Sequence, residues 1–230
     1  RAVGVDYRHH GRLTRAEGRE VILCGGAINS PQLLMLSGIG PADHLRDVGI
    51  RVTHELPGVG ANLQDHLDIC TLQQCTKPVS YDRLNDVAVA LQYLLRRDGP
   101  GTSNIAEGGG FVRTPFAPDE RCDVQLHFIP ALLDDHGRHR LPGYGYTLHA
   151  CNLRPHSRGT IRLKSANPGN KPAIRANYLS DAEGADLRTM IAAAKVAREI
   201  FAAAPFDAYR GDEIYPGCGA CTDADLAAYI

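Results

Sequence analysis

The stretch Val21-Ile22-Leu23-Cys24-Gly25-Gly26-Ala27-Ile28-Asn29-Ser30-Pro31-Gln32-Leu33-Leu34 decides the fold. Four apolar residues read as a buried strand, the glycine pair as a tight turn, and the rest as a helix. Ser30 is placed to cap that helix, with Pro31 at its first position, where a missing N–H costs nothing. Leu33, Leu34 and Met35 begin its apolar side, and Ser37-Gly38 stops it. A strand ending in glycines lets backbone approach a ligand closely. The helix N-terminus beyond it offers N–H groups to a phosphate or another polar edge. Strand, glycine turn and helix together are α/β architecture. The turn could equally be a tight connection and nothing more. GxGxxG, which a complete dinucleotide site wants, occurs nowhere in the chain.

Working outward, "AVGVDYR" (residues 2–8) and "REVILC" (19–24) bracket the polar segment "HHGRLTRAEG", which predicts a hairpin feeding the buried strand. "GPADHLRDVGI" reads as a second short helix, ended by Gly49. "ELPGVGANLQDHLDI" follows, rich in turn formers. It holds the densest polar cluster of the chain: Asn62, Gln64, Asp65 and His66. These side chains can reach a ligand, or can simply order the loop by Asx-type hydrogen bonds. The composition changes after this segment, and the boundary between an α/β piece and an α+β piece is placed near residue 67.

Residues 85–98 read as a helix capped by Asn85, with Val87, Leu91, Leu94 and Leu95 as its apolar stripe and Gly99-Pro100 as its stop. "DVQLHFIP", "YTLHACNL" and "GTIRLKS" alternate apolar with polar residues, as strands of an antiparallel sheet covered on one side do. The longest helix begins near Ser180, where "SDAE" has the form of a capping box. Its apolar side is Leu187, Met190, Ile191, Ala194 and Phe201. Thr222 and Asp225 have the same capping-box form ahead of a last helix.

The chain has 230 residues, enough for one large domain or two modest ones. It is 43% hydrophobic and 22% charged, the balance of an ordinary globular chain. A net charge of −1 gives no global field toward nucleic acid, so no nucleic-acid partner is expected. No apolar run approaches the ~18 residues that a membrane-crossing helix needs. The first residue is Arg, a strand-like alternation begins at once, and the last helix has about two turns before Ile230. The expectation is a piece of a longer protein. The seven cysteines are read as reduced, buried thiols of a cytoplasmic protein. Cys218 and Cys221 form a CxxC without a second pair at zinc spacing, and Asp134, Asp135, His136 and His139 read as an exposed turn, so no metal is expected.

"GAINSPQLLMLSGIG" (Gly26–Gly40) resembles the second signature of the glucose–methanol–choline (GMC) oxidoreductases, FAD-dependent enzymes that oxidise alcohols. "PGVGANLQDHLD" resembles that family's Gly-x-Asn-Leu-x-Asp-His segment. "NIAEGGGFVRT", "DVQLHFIP", "LRPHSRGTIRLKS" and "ANYLSDAEGADL" are similar to its substrate-domain segments. "HFIPALLDDHGR" and "SRGTIRL" look most like the bacterial choline dehydrogenase and aliphatic alcohol dehydrogenase branch.

The resemblance implies that residues 1–67 are part of a Rossmann-like FAD-binding domain. Residues 68–230 would be the substrate-binding domain, an antiparallel sheet covered by helices. The family's GxGxxG would lie before Arg1 and its catalytic His after Ile230, so no catalytic residue is expected here and the isolated piece should neither retain FAD nor turn over. FAD contacts would come from Cys24, Gly25, Gly26, Ser30, Asn62, Asp65 and His66. Glu107, before three glycines, matches the position at which choline-oxidising relatives set a carboxylate against trimethylammonium. The absence of Trp, with Phe111 the aromatic residue nearest in sequence, argues against choline and leaves aliphatic alcohols open. Oxygen, a quinone and a carrier protein all stay open as electron acceptor, as does a place at the periphery of the inner membrane. The competing readings are a same-fold hydroxynitrile lyase-like flavoprotein and a non-catalytic binding module.

Overall fold

The computed structural model describes residues 2–134 and 137–230. In chain order its strands are β1 (Gly4–His9), β2 (Arg12–Glu17), β3 (Ile39–Gly40), β4 (His54–Glu55), β5 (Asp68–Cys75), β6 (Gly108–Val112), β7 (Val124–Ile129), β8 (Leu133–Asp134), β9 (His139–Arg140), β10 (Gly145–Asn152), β11 (Thr160–Arg162), β12 (Ala173–Arg175) and β13 (Arg210–Tyr215). Its helices are α1 (Gly26–Leu36), α2 (Ala42–Asp47), α3 (Asp86–Arg96), α4 (Ala185–Ala202) and α5 (Asp223–Tyr229). The chain forms two compact units, Arg1–Leu63 with Gly159–Asn177, and Gln64–Arg158 with Tyr178–Ile230. The return of residues 159–177 to the first unit is a feature that a single break near residue 67 does not contain.

In the first unit, β1 and β2 pair as an antiparallel hairpin across His10-Gly11. Both turn residues have positive φ, 46° and 79°, as a twist-matched two-residue turn requires. The hairpin therefore closes inside the segment read as its polar loop. Val21–Cys24 is not a strand, and Ile22 is 79% exposed. β1 and β2 pair only with each other, and no strand among the described residues bonds the Val21–Cys24 backbone, so the run does not form a strand.

The N-terminus of α1 also differs from the expectation. Gly26 lies at φ +74° and turns the chain into the helix at once, so Gly25 is the N-cap. Ser30 and Pro31 fall inside the helix rather than at its start. The Ser30 hydroxyl instead accepts the Gly25 N–H at 2.9 Å. The stop is as expected: the Ser37 N–H bonds back to Leu33 and Leu34, and Gly38 follows at φ +81°.

Met35 of α1, Leu45 of α2, Val59, and Ile161 and Leu163 around β11 form the core of this unit. His44 ties α2 to it, its Nε2 accepting the Leu163 N–H at 3.0 Å. Burial, then the nearby Arg162, holds the His44 imidazole below its ordinary pKa, which suits an acceptor nitrogen. Gly60 is required: it lies at φ +71°, and a Cβ there would stand 2.3 Å from the Ile161 carbonyl.

The second unit is a five-stranded antiparallel sheet in the order β13-β5-β10-β7-β6, with α4 laid across it. β7 and β10 are the expected neighbours, whereas β11, read as part of the same sheet, pairs with β12 in the first unit. Ile69, Val124, Leu126, Tyr146, Leu148 and Ala150 point to α4 and meet Met190, Ala193, Ala194, Ala197 and Phe201. This is the apolar side predicted for the longest helix. Its cap is not the predicted box: Gly184 is the N-cap, and the Asp181 carboxylate accepts the Ala185 and Asp186 N–H groups. Asp186 is 3% exposed. Its carboxylate accepts Asn152 Nδ2, His156 N and Ser157 N; burial would raise its pKa, but the bonds from the Ser157 side chain and the His156 and Ser157 N–H groups outweigh it and hold the pKa down. Thr222 and Asp225 do form the expected capping box on α5.

α3 forms where expected, with Asn85 Oδ1 accepting the Val87 and Ala88 N–H groups. Its apolar stripe, however, faces solvent: Val87 is 68% and Leu95 81% exposed. The thiols also depart from expectation. Cys151 alone is buried, Cys24, Cys218 and Cys221 are exposed, and all seven are free. Among the described residues, no helix is long and apolar enough to cross a membrane.

Candidate functional site

Cys24, Gly25, Gly26 and Ser30 lie together at the start of α1, joined by the Gly25–Ser30 hydrogen bond. Cys24 and Gly25 are exposed, and a Cβ built on Gly26 would meet nothing within 4 Å. The first turn of α1 has no acidic residue and no side-chain cap. Open backbone at the positive end of an eleven-residue helix suits a polar or anionic edge. The residues named from sequence thus fit a nucleotide group through backbone, although Ser30 serves Gly25 and not a ligand.

Asn62 belongs to the first unit and is exposed at φ +58°, a conformation that asparagine tolerates. Asp65 and His66 belong to the second. Asp65 accepts the Tyr178 hydroxyl on one oxygen and the His66 N–H on the other. This commits its carboxylate to ordering the loop, and the Tyr178 phenol is pushed up to about 12 by that carboxylate. The His66 side chain is exposed.

Glu107 accepts the Tyr81 hydroxyl at 2.5 Å. That bond and one from Ser103 hold its carboxyl below the ordinary value, so it is anionic at neutral pH. The fold therefore supplies an aromatic ring that sequence distance hides: Tyr81 is 26 positions away, while Phe111 is 62% exposed. Of the glycines after Glu107, Gly109 is closed by backbone while Gly110 faces open space. They form edge strand β6, and a Cβ on Gly109 would meet the Leu126 carbonyl at 2.7 Å.

The sequence reading missed the sheet face opposite α4. Strand alternation puts Asp68 and Cys70 of β5, His149 and Cys151 of β10, and Gln125 and His127 of β7 on this side, with His149 paired to Cys70 and to His127. His149 Nδ1 lies 2.5 Å from Asp68 Oδ2 and 3.2 Å from Cys70 Sγ. Burial pulls the imidazole pKa down, but the bonds to Asp68 and Cys70 more than offset it and raise it to about 9. His149 is a cation at neutral pH. Asp68, Cys70 and His149 are metal-ligating residue types within 4.8 Å of one another. Asp68 and Cys70 nevertheless approach the same imidazole nitrogen, which is the arrangement of a hydrogen-bonded ion cluster and not of donors around a central ion. A cavity of about 380 Å³ opens beside this cluster. The signal for this face was present in the polar members of "DVQLHFIP" and "YTLHACNL", which share one side once the strands are paired. Asp135 and His136 lie outside the described residues. Asp134 Oδ2 and His139 Nδ1 are 3.6 Å apart.

Models of the GMC oxidoreductase family match residues 1–68 and 155–229. An alcohol dehydrogenase (acceptor) of Pseudomonas putida is 47% identical over 238 residues, covering 100% of this chain and 43% of its own length. Human mitochondrial choline dehydrogenase is 44% identical, covering 100% of this chain and 39% of its own length. A formate oxidase structure from Aspergillus oryzae RIB40, studied for FAD modification, superposes with a TM-score of 0.87 at 25% identity over 99% of this chain and 45% of that one. Pyridoxine 4-oxidase from Mesorbium loti shares the fold, with a TM-score of 0.79 over 99% of this chain and 41% of its own. The chain thus spans about two-fifths of the length of the relatives it matches. Two family models, together with 47% identity along the whole of this chain, converge on one conclusion, that the chain belongs to the GMC oxidoreductase family.

Proposed function

We propose that the whole protein is an FAD-dependent alcohol dehydrogenase or oxidase, which takes a primary alcohol to the aldehyde. The observation that carries this reading is the alignment of the whole chain to an alcohol dehydrogenase and a choline dehydrogenase at 44–47% identity. In this reading residues 1–67 help to hold the cofactor and the second unit forms the substrate side. The start of α1 would hold part of FAD through the backbone of Cys24, Gly25 and Gly26, and the family resemblance adds Asn62, Asp65 and His66 to the cofactor's contacts. FAD, when bound, supplies the hydride acceptor. The remaining work falls to protein residues. The polar sheet face, with His149 held as a cation, stabilises negative charge that develops on the alcohol oxygen. Glu107 with the Tyr81 ring suits a cationic head group. The general base is assigned to residues outside this chain.

The test is the visible spectrum of the protein from its full reading frame, recorded anaerobically before and after 1-octanol and, separately, choline. A flavin band bleached by one of them supports the reading and identifies the substrate class. A colourless preparation, or a flavin that neither alcohol reduces, overturns it.

A further inference from the structure

The loop between β13 and α5 carries Cys218 and Cys221, which are separated only by Gly219 and Ala220 and are both exposed. The alcohol chemistry does not use them. The loop is anchored on α4. Arg198 Nη1 donates to the Ala220 carbonyl at 2.7 Å and Nη2 to the Gly217 carbonyl at 3.2 Å, while Glu213 Oε1 accepts the Gly217 N–H at 3.0 Å. The Ala220 N–H closes a turn on the Gly217 carbonyl at 3.0 Å, and the Cys221 N–H bonds the Gly219 carbonyl at 3.1 Å. The backbone between the two cysteines is thus set by the fold.

The thiols themselves are left free to react. The Cys221 side chain folds back onto the first cysteine, its Sγ 3.0 Å from the Cys218 carbonyl oxygen. A Cβ built on Gly219 would meet nothing within 4 Å, so the space beside the turn is open. Thiol–disulfide exchange needs two sulfurs within reach of each other and access for the incoming disulfide. The folded-back Cys221 supplies the first and the exposure of both residues the second. Cys24, the other exposed thiol, has no cysteine nearer in sequence than Cys70.

We propose that Cys218 and Cys221 form a reversible dithiol–disulfide site that reacts with low-molecular-weight disulfides such as oxidised glutathione. One cysteine sulfur attacks the glutathione disulfide, makes a protein–glutathione S–S bond and releases one reduced glutathione. The second cysteine sulfur attacks that bond, closes Cys218 onto Cys221 and releases the other. The protein's two thiols are oxidised, the glutathione disulfide is reduced, and the two thiol protons pass to the released glutathiones. Excess reduced glutathione runs both steps backwards. The site depends neither on flavin nor on the alcohol reaction. It lies in the connection between β13 and α5, whose Tyr215 and Tyr229 line the cavity beside Asp68, Cys70 and His149.

The test equilibrates the native protein from its full reading frame with graded ratios of reduced to oxidised glutathione. Free thiols are then blocked with N-ethylmaleimide and tryptic peptides are weighed. No Lys or Arg follows Arg210 before Ile230, so both cysteines fall in one peptide. That peptide should become unlabelled and lighter by the two thiol hydrogens, and should recover both labels in excess reduced glutathione. The equilibrium constant for closure should be about ten-fold larger in the native protein than in urea, because the fold has already ordered the backbone between the sulfurs. Cys218→Ser and Cys221→Ser, at exposed positions, should each abolish the lighter peptide. The proposal falls if both thiols stay labelled at every ratio, which is the result if other parts of the protein cover them. It falls equally if wild type accumulates only glutathione adducts, if the lighter peptide persists in either variant, or if closure in urea matches that in the native protein.

Discussion

Replacing Asp68 by Asn should change how the second unit responds to alkali. His149 is 16% exposed at its side chain, and its pKa rises from 6.5 to about 9 in the fold. At about 1.4 kcal/mol per pH unit, that rise sets a ceiling of about 3 kcal/mol. Asp68 is 40% exposed, and solvent screening of its carboxylate reduces the figure to about 2 kcal/mol. The sign follows from proton counts. The folded imidazole holds its proton up to about pH 9, while the unfolded one loses it near 6.5. The pair's contribution is complete below pH 6.5, shrinks between 6.5 and 9, and is gone above 9. Asp68→Asn removes the carboxylate that helps to hold the proton, so the His149 pKa should fall from about 9, with Cys70 left to oppose burial. The assay is an NMR titration of the His149 ring in both proteins, with urea unfolding at pH 6 and pH 9.5. Wild type should titrate near 9 and lose about 2 kcal/mol more than the variant between the two pH values. A wild-type midpoint at or below 6.5 would refute the reasoning, because the cluster would then not be an ion pair.

Asp186→Ala should cost about 3 kcal/mol in urea unfolding, since it leaves the His156 and Ser157 N–H groups and Asn152 Nδ2 without their acceptor in a buried place; a change within 0.5 kcal/mol would show that water reaches them. Arg198→Ala should cost about 3 kcal/mol, because Glu213, 16% exposed, loses its two-pronged partner, and Arg198→Lys should recover little of it. His44→Ala should cost about 1–2 kcal/mol by orphaning the Leu163 N–H. In wild type the lowered His44 pKa makes stability fall as pH drops through 6.5, and that slope should disappear in His44→Gln.

The candidate site was legible where backbone chemistry alone marks it. Gly25 and Gly26 stand out as the turn ahead of the helix, although the helix begins at Gly26, four residues before Ser30. Asn85, Thr222 and Gly38 do what short-range capping rules ask of them. What could not be read is whatever depends on pairing between distant strands. Asp68, Cys70 and His149 meet across 79 and 81 positions, and Glu107 finds Tyr81 across 26. The period-two alternation in β7 and β10 said that a polar face exists. It did not say that Asp68 of another strand would turn one of those histidines into a cation. Ser30 shows the reverse error: a residue type suited to capping was assigned that duty, and Gly26 at φ +74° made the cap unnecessary.

The same division between local and distant information accounts for the apolar surface. α3 has a sound cap and a continuous stripe, and forms as a helix for those reasons, yet Leu91, Leu94 and Leu95 are 52%, 64% and 81% exposed. Val5 and Tyr7 alternate as a core-facing strand should, and are 48% and 44% exposed. Ile22 belongs to a run that reads as a buried strand and has none beside it. Periodicity reports which residues an element would bury; it is silent on what buries them. α4 found its partner in β5 and β10, both within these residues, and there the burial prediction holds for Met190, Ala194 and Phe201. Where the cover is not among the described residues, the element still forms by local rules and its apolar side is left bare. The bare faces of α3, β1 and Val21–Cys24 are accordingly where added cover would stabilise most, at about 25 cal/mol per Å² of apolar area buried.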